Sequence, residues 1–139
     1  MGGEAVIDAN VAIAWLMVEP GGSLLDEARN RYRLVVPSIW RLEVANSLLK
    51  FVRQRRQTGD EADIAAKIVD DLDVRAVDPA EAATAESLIA FARPHQLSSY
   101  DAVYLALAIE RGATLFTNDA NMLDAARRLG VVTRSAADP

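Results

Sequence analysis

Five short runs of β-branched and apolar residues, each three or four long, recur along the chain with helical patterns between them. This alternation constrains the fold more than any other feature. Single strands separated by helices do not pair as hairpins; they form a mostly parallel sheet with helices on both faces. The runs are Ala5-Val6-Ile7, Leu34-Val35-Val36, Val74-Arg75-Ala76-Val77, Thr114-Leu115-Phe116-Thr117 and Val131-Val132-Thr133. Asn10 is placed to cap a helix through Leu16, which Pro20-Gly21-Gly22 breaks, and Ser23 caps another through about Asn30. Ser38 opens a long helix to about Gln57, stopped by Thr58-Gly59, and Asp60 caps the next, to about Asp71. Asp78-Pro79-Ala80-Glu81 reads as a helix start, with that helix ending near Arg93-Pro94. Ser98 or Ser99 caps a helix through Ile109 that stops at Gly112, and a last helix covers Asp119 to Leu129. The segment Tyr104 to Ile109 is apolar all round, so its helix belongs at the centre. The expected architecture is α/β: three layers, α/β/α, around a mostly parallel five-stranded sheet.

The length of 139 residues fits one domain spanning 1–139, with no repeat or linker inside it. The chain has no cysteine, which excludes disulfides, thiolate metal sites and cysteine nucleophiles. A single histidine excludes a multi-histidine zinc site and argues against a Ser-His-Asp triad. No apolar run is long enough to cross a bilayer, and no basic segment leads into an apolar one as in a secretory signal. The expectation is a cytoplasmic protein without membrane association. Carboxylates, hydroxyls and arginines remain to carry chemistry.

The net charge of −5, taken alone, argues against a polyanionic partner. The basic residues are unevenly spread, however. Arg29, Arg31, Arg33, Arg41, Lys50, Arg53, Arg55 and Arg56 fall in one stretch, while Asp60 to Asp78 is acid-rich. A negative protein with a local basic strip can still bind nucleic acid.

In an open α/β sheet, ligands bind beyond the carboxyl ends of the strands. Asp8 ends the first strand, Glu43 lies in the first turns after the second, Asp101 opens the helix before the fourth, and Asp119 follows the fourth. All four belong to that edge. Asp70, Asp71 and Asp73, at a helix end, belong to the opposite one, and Asp78 reads as a cap. Four carboxylates at one place do not all stay ionised without a compensating cation. Oxygen-only ligation suits Mg²⁺ or Mn²⁺. Each acid also has a plainer reading: Asp8 as a turn residue, Glu43 as part of a solvated stripe, Asp101 as a first-turn acid favoured by the helix dipole, Asp119 as a cap. Spacing alone leaves both readings open.

The segments Val6-Ile7-Asp8-Ala9-Asn10, Val36-Pro37-Ser38 with Glu43-Val44-Ala45-Asn46, Ser98 through Ala108, and Leu115-Phe116-Thr117-Asn118-Asp119 resemble those of PIN-domain ribonucleases. More narrowly they resemble the VapC-like toxins of bacterial toxin–antitoxin pairs. The likeness runs over essentially the whole chain, and the Ser98–Ala108 segment, with its Tyr100-Asp101-Ala102 core, is the most specific. The resemblance implies a Mg²⁺- or Mn²⁺-dependent endoribonuclease that cleaves RNA phosphodiester bonds with metal-activated water. Asp8, Glu43, Asp101 and Asp119 are then the catalytic and metal-binding acids. It also implies a cognate antitoxin protein as partner and a homodimer. Where the family often has Ser or Thr, this chain has Asn10, whose amide can hydrogen-bond a ligand but supplies no hydroxyl. Thr117 of the T-x-D element is an accessory residue that orients neighbouring carboxylates.

Lys50 and Arg53 follow Glu43 on one helical stripe, Lys50 lying roughly 10 Å along the axis, and can carry RNA phosphates away from the acids. Arg55 and Arg56 read rather as a solvated helix end, His95 as a surface loop residue, and Trp15 and Trp40 as core or dimer contacts. Three rival functions are a PIN-like binding module without catalysis, a receiver-type phosphoacceptor domain and a PIN nuclease serving RNA maturation, not toxicity. The receiver reading lacks an acidic neighbour for Asp8 and a Lys after the last strand.

Overall fold

The computed structural model describes residues 3–138. Five parallel strands form one sheet: β1 (Glu4–Ile7), β2 (Arg33–Val36), β3 (Val74–Ala76), β4 (Thr114–Phe116) and β5 (Thr133–Arg134), in the order β3-β2-β1-β4-β5. Among the described residues seven α-helices surround it: α1 (Ala9–Leu16), α2 (Ser23–Arg31), α3 (Ile39–Arg53), α4 (Gly59–Asp70), α5 (Ala85–Ala92), α6 (Ser99–Arg111) and α7 (Ala120–Arg128). The chain steps from β1 to β3 in one direction, then from β3 to β5 in the other. Right-handed crossovers therefore put α1–α4 on one face and α5–α7 on the other, and the helix contacts divide the same way. The expected three-layer α/β/α architecture is the observed one.

β1 is central and fully covered: Ala5, Val6 and Ile7 are buried, as are Leu115 and Phe116 of β4 beside it. Strands buried on both faces read as unbroken apolar runs, which is why these segments do not alternate. Helix α6 is buried continuously from Ala102 to Ala108, matching its all-round apolar sequence. Its start is capped by Ser98, whose Oγ accepts the Asp101 N–H at 3.2 Å, and its end by Gly112 at φ +59°. Gly22 fits the tight passage from α1 to α2, where a Cβ would stand 2.8 Å from the Ala14 carbonyl oxygen. Among the described residues no helix is long and apolar enough to cross a membrane.

Several boundaries depart from the sequence reading, each for a local reason. Helix α1 is capped by Asp8, not Asn10: Asp8 has extended backbone (φ −68°, ψ 146°), and its carboxylate accepts the Asn10 N–H at 3.4 Å. Helix α3 ends at Arg53 rather than Gln57, because Arg55 turns to φ +58°. Helix α4 is capped by Thr58, not Asp60, through a reciprocal pair: Thr58 Oγ1 accepts from the Glu61 N–H (3.1 Å) and Glu61 Oε1 from the Thr58 N–H (2.8 Å). The expected single helix from Asp78 is instead a 3₁₀ turn, Ala80–Ala83, followed by α5 under a Thr84 cap. Asp78 does not cap that segment; it accepts the Ser38 N–H at 2.8 Å and ties the exit of β3 to the entry of α3. β5 is Thr133–Arg134, not Val131–Thr133, since these residues pair with Leu115 and Phe116 while Val132 is left exposed. The short connection 54–58 folds α3 and α4 into a hairpin, and the Asp70 carboxylate lies 3.9 Å from the Arg41 side chain.

Candidate active site

Asp8, Glu43, Asp101 and Asp119 come from four separate elements: the end of β1, the second turn of α3, the first turn of α6 and the cap of α7. Asp8 is the deepest, at 5% exposure. Thr117 Oγ1 donates to its Oδ2 at 2.9 Å and accepts the Asp119 N–H at 3.1 Å. One fully buried hydroxyl thus links the Asp8 carboxylate to the Asp119 backbone. Asp119 also caps α7, its Oδ1 accepting the Met122 N–H at 2.8 Å. The plainer reading of Asp119 therefore holds alongside the functional one, since one carboxylate oxygen remains. Asp8 likewise caps α1 while its Oδ1 carries only the long bond to Asn10.

The electrostatics tie the acids together. Burial, and then the charges of Asp101 and Glu43, push the Asp8 carboxyl up to about 6, against the opposing hydrogen bonds from Thr117 and Asn10. Asp101, half-buried, is raised by desolvation and by the charges of Asp119 and Glu43. None of the ion pairs among the described residues engages any of the four. The cluster therefore holds more negative charge than the chain itself compensates. Its donors are oxygen alone, which is the chemistry of a hard divalent cation site. As placed, no three of these side chains among the described residues form a closed cage around an ion.

One contributor was not singled out from sequence. Tyr104, one turn beyond Asp101, sits buried in α6 and donates its hydroxyl to Glu43 Oε1 at 2.5 Å. This bond joins α6 in one helical layer to α3 in the other. Burial and the Glu43 carboxylate raise the phenol well above its ordinary range, so it stays a donor. The available signal was a tyrosine inside an all-apolar helix, since a buried phenol requires a partner. Of the remaining candidates, Asn10, Lys50 and Arg53 are exposed, and neither cation is in an ion pair among the described residues. Trp40 is core; Trp15 is half-buried near Arg29; His95 packs half-buried against Phe91 in a 3₁₀ turn.

The Asp8 shift has a measurable sign. Its folded pKa lies above the unfolded value of 3.8, so the folded chain holds this proton more tightly. Without metal, stability is expected to fall as pH rises through about 6 and to return as pH drops toward 4. The Asp8 contribution is about 3 kcal/mol, and Asp101 adds in the same direction. Denaturant unfolding in EDTA across this range, with Asp8→Asn as reference, isolates it. A pH-independent difference between the two proteins would contradict it.

The PIN domain family model matches residues 5–128, from β1 through α7. The chain belongs to the PIN domain family. Its fold superposes on solved structures over nearly its whole length. PAE2754 from Pyrobaculum aerophilum gives a TM-score of 0.71 at 23% identity, covering 96% of this chain and 92% of that one. VapBC2 from Rickettsia felis, bound to a DNA fragment from its promoter, gives 0.67 at 15%, covering 94% and 97%. VapBC-1 from nontypeable Haemophilus influenzae gives 0.66 at 13%, covering 97% and 99%. A comparison with curated protein sequences finds no significant match. In this PIN domain the four acids stand where the sheet-edge rule places a ligand.

Proposed function

We propose that the protein is a Mg²⁺- or Mn²⁺-dependent endoribonuclease and the toxin of a toxin–antitoxin pair. The observation that carries the reading is the uncompensated edge of carboxylates, Asp8, Glu43, Asp101 and Asp119, in a chain of the PIN family. These four residues would hold the ion. A bound divalent cation supplies Lewis-acid polarisation of a phosphoryl oxygen and a lowered pKa for water. The chain's own part is positional. Thr117 aims Asp8 and opposes the burial that favours its neutral form, Tyr104 holds Glu43, and the Ser98 cap sets Asp101 at the start of α6. Asn10 offers an exposed amide beside Asp8, and Lys50 and Arg53 offer phosphate contacts along α3.

The toxin role is supported by the likeness to VapBC complexes, and it brings a cognate antitoxin as partner. A basic side chain of such a partner would complement the acidic edge. A homodimer is part of the same proposal.

The test is cleavage of total cellular RNA by the purified chain with Mg²⁺ or Mn²⁺, against EDTA. Discrete fragments that require the metal are expected. A folded protein that cuts nothing with either ion would overturn the reading. The same ions are expected to raise the melting temperature. At a hundredfold excess over Kd the stabilisation is about 2.7 kcal/mol, measured as a thermal shift reversed by EDTA.

A further inference from the structure

A second charged feature lies away from the acids. A cleft of about 650 Å³ opens at the amino-terminal edge of the sheet, walled by Arg29, Arg33, Arg75 and Arg111. The parallel register builds it. Glu4 pairs with Arg33 across β1 and β2, and Val35 pairs with Arg75 across β2 and β3. Because alternate residues share a face, Glu4, Arg33, Val35 and Arg75 all point to one side of the sheet. Arg111 arrives from the last turn of α6 and grips Glu4 with two bonds, at 2.7 and 2.6 Å. Arg29 comes from α2, with Asp26 at 4.0 Å. Arg33 and Arg75 have no carboxylate within ion-pair distance among the described residues, although Asp73 lines the same cleft.

The chain is negative overall, yet it gathers four guanidiniums around this concavity, against which stand Glu4, Asp73 and, beside Arg29, Asp26. Like charges drawn to one wall repel unless an anion sits between them, and planar guanidinium forks suit phosphate bidentately. Tyr32 lines the cleft too, its half-buried ring held edge-on to Phe116 at 5.7 Å. Tyr32 precedes Arg33 in extended backbone, so its ring lies on the other side of the sheet and leaves the guanidiniums to take phosphate. Arg33 and Arg75 are exposed, so the wall is open to a strand.

We propose that this cleft grips the phosphates of a single-stranded RNA through Arg33 and Arg75, remote from the acids. The inference rests on the ribonuclease reading for its ligand, but its test does not depend on cleavage. Binding of a fluorescent single-stranded RNA of about twelve nucleotides is followed by anisotropy in EDTA, over a series of salt concentrations. The full chain is compared with an Arg33→Gln/Arg75→Gln double variant, and circular dichroism checks that both are folded. The variant is expected to bind about tenfold or more weakly. The slope of log affinity against log salt should shrink by about 1.4, about 0.7 for each single-strand phosphate that the variant no longer neutralises. Unchanged affinity and slope would overturn the proposal. So would a mononucleotide or inorganic phosphate that binds as tightly as the RNA and is released in the same variant, which would make the cleft a small-anion site. Absence of metal-dependent cleavage by the unaltered chain, by contrast, would sink the nuclease reading and leave this binding result standing.

Discussion

Asp101→Asn is expected to lose metal-dependent RNA cleavage while the protein stays folded and, without metal, becomes no less stable. The first half follows from charge. Asp101 stands in the first turn of α6, within the influence of both Asp119 and Glu43. Removing one charge-stabilising group from a preorganised site costs on the order of a hundred- to a thousandfold in rate. The second half follows from geometry. The Ser98 cap uses the Asp101 backbone N–H, which asparagine keeps. The side chain is isosteric, and its carboxylate is already disfavoured by desolvation and by its acidic neighbours. Neutralising it relieves repulsion and also lowers the burden on Asp8, whose carboxyl is raised partly by Asp101. Loss of activity with equal or higher stability in EDTA is the mark of a charge held for function. The measurement is cleavage of total RNA beside denaturant unfolding of both proteins. Full activity in a folded Asp101→Asn protein would reduce the four acids to caps and surface charges.

The parts of this fold legible in sequence were those set by local rules. Alternating strands and helices gave the layers, and the sheet-edge argument assigned Asp8, Glu43, Asp101 and Asp119 to the edge where their elements now place them. Helix ends slipped where two good caps competed. Asp8 outranks Asn10, and Thr58 outranks Asp60, because the preferred residue is the one whose extended backbone lets its side chain reach back to the first turn. Asp73, assigned to the opposite edge, lines the cleft there beside Leu72. Long-range pairs were out of reach. Tyr104 and Glu43 are 61 residues apart, and Glu4 and Arg111 are 107 apart, as are Glu27 and Arg134. Proximity in sequence misled for the arginines. The stretch Arg29 to Arg56 reads as one basic strip, yet Arg41 lies against Asp70, Arg56 bonds Glu19, and Arg29 and Arg33 join Arg75 and Arg111 in the cleft.

Tyr104→Phe is expected to reduce cleavage about ten- to a hundredfold, the usual cost of removing a group that orients a metal ligand, with the fold intact. Phenylalanine keeps the ring volume in the core, so packing around α6 is preserved. What disappears is the donor that holds Glu43 across the two helical layers. Glu43 stays half-buried near Asp8 and Asp101, but its carboxylate no longer has a fixed direction. The defect should therefore lie in metal use more than in RNA binding. The Mn²⁺ concentration for half-maximal cleavage should rise, saturating metal should restore part of the rate, and KM for RNA should change little. A purely structural role for the hydroxyl would instead lower the melting temperature and leave the metal midpoint where it was. If rate and midpoint both match the unaltered protein, the Tyr104 bond contributes nothing to the site, and Glu43 is placed by α3 alone.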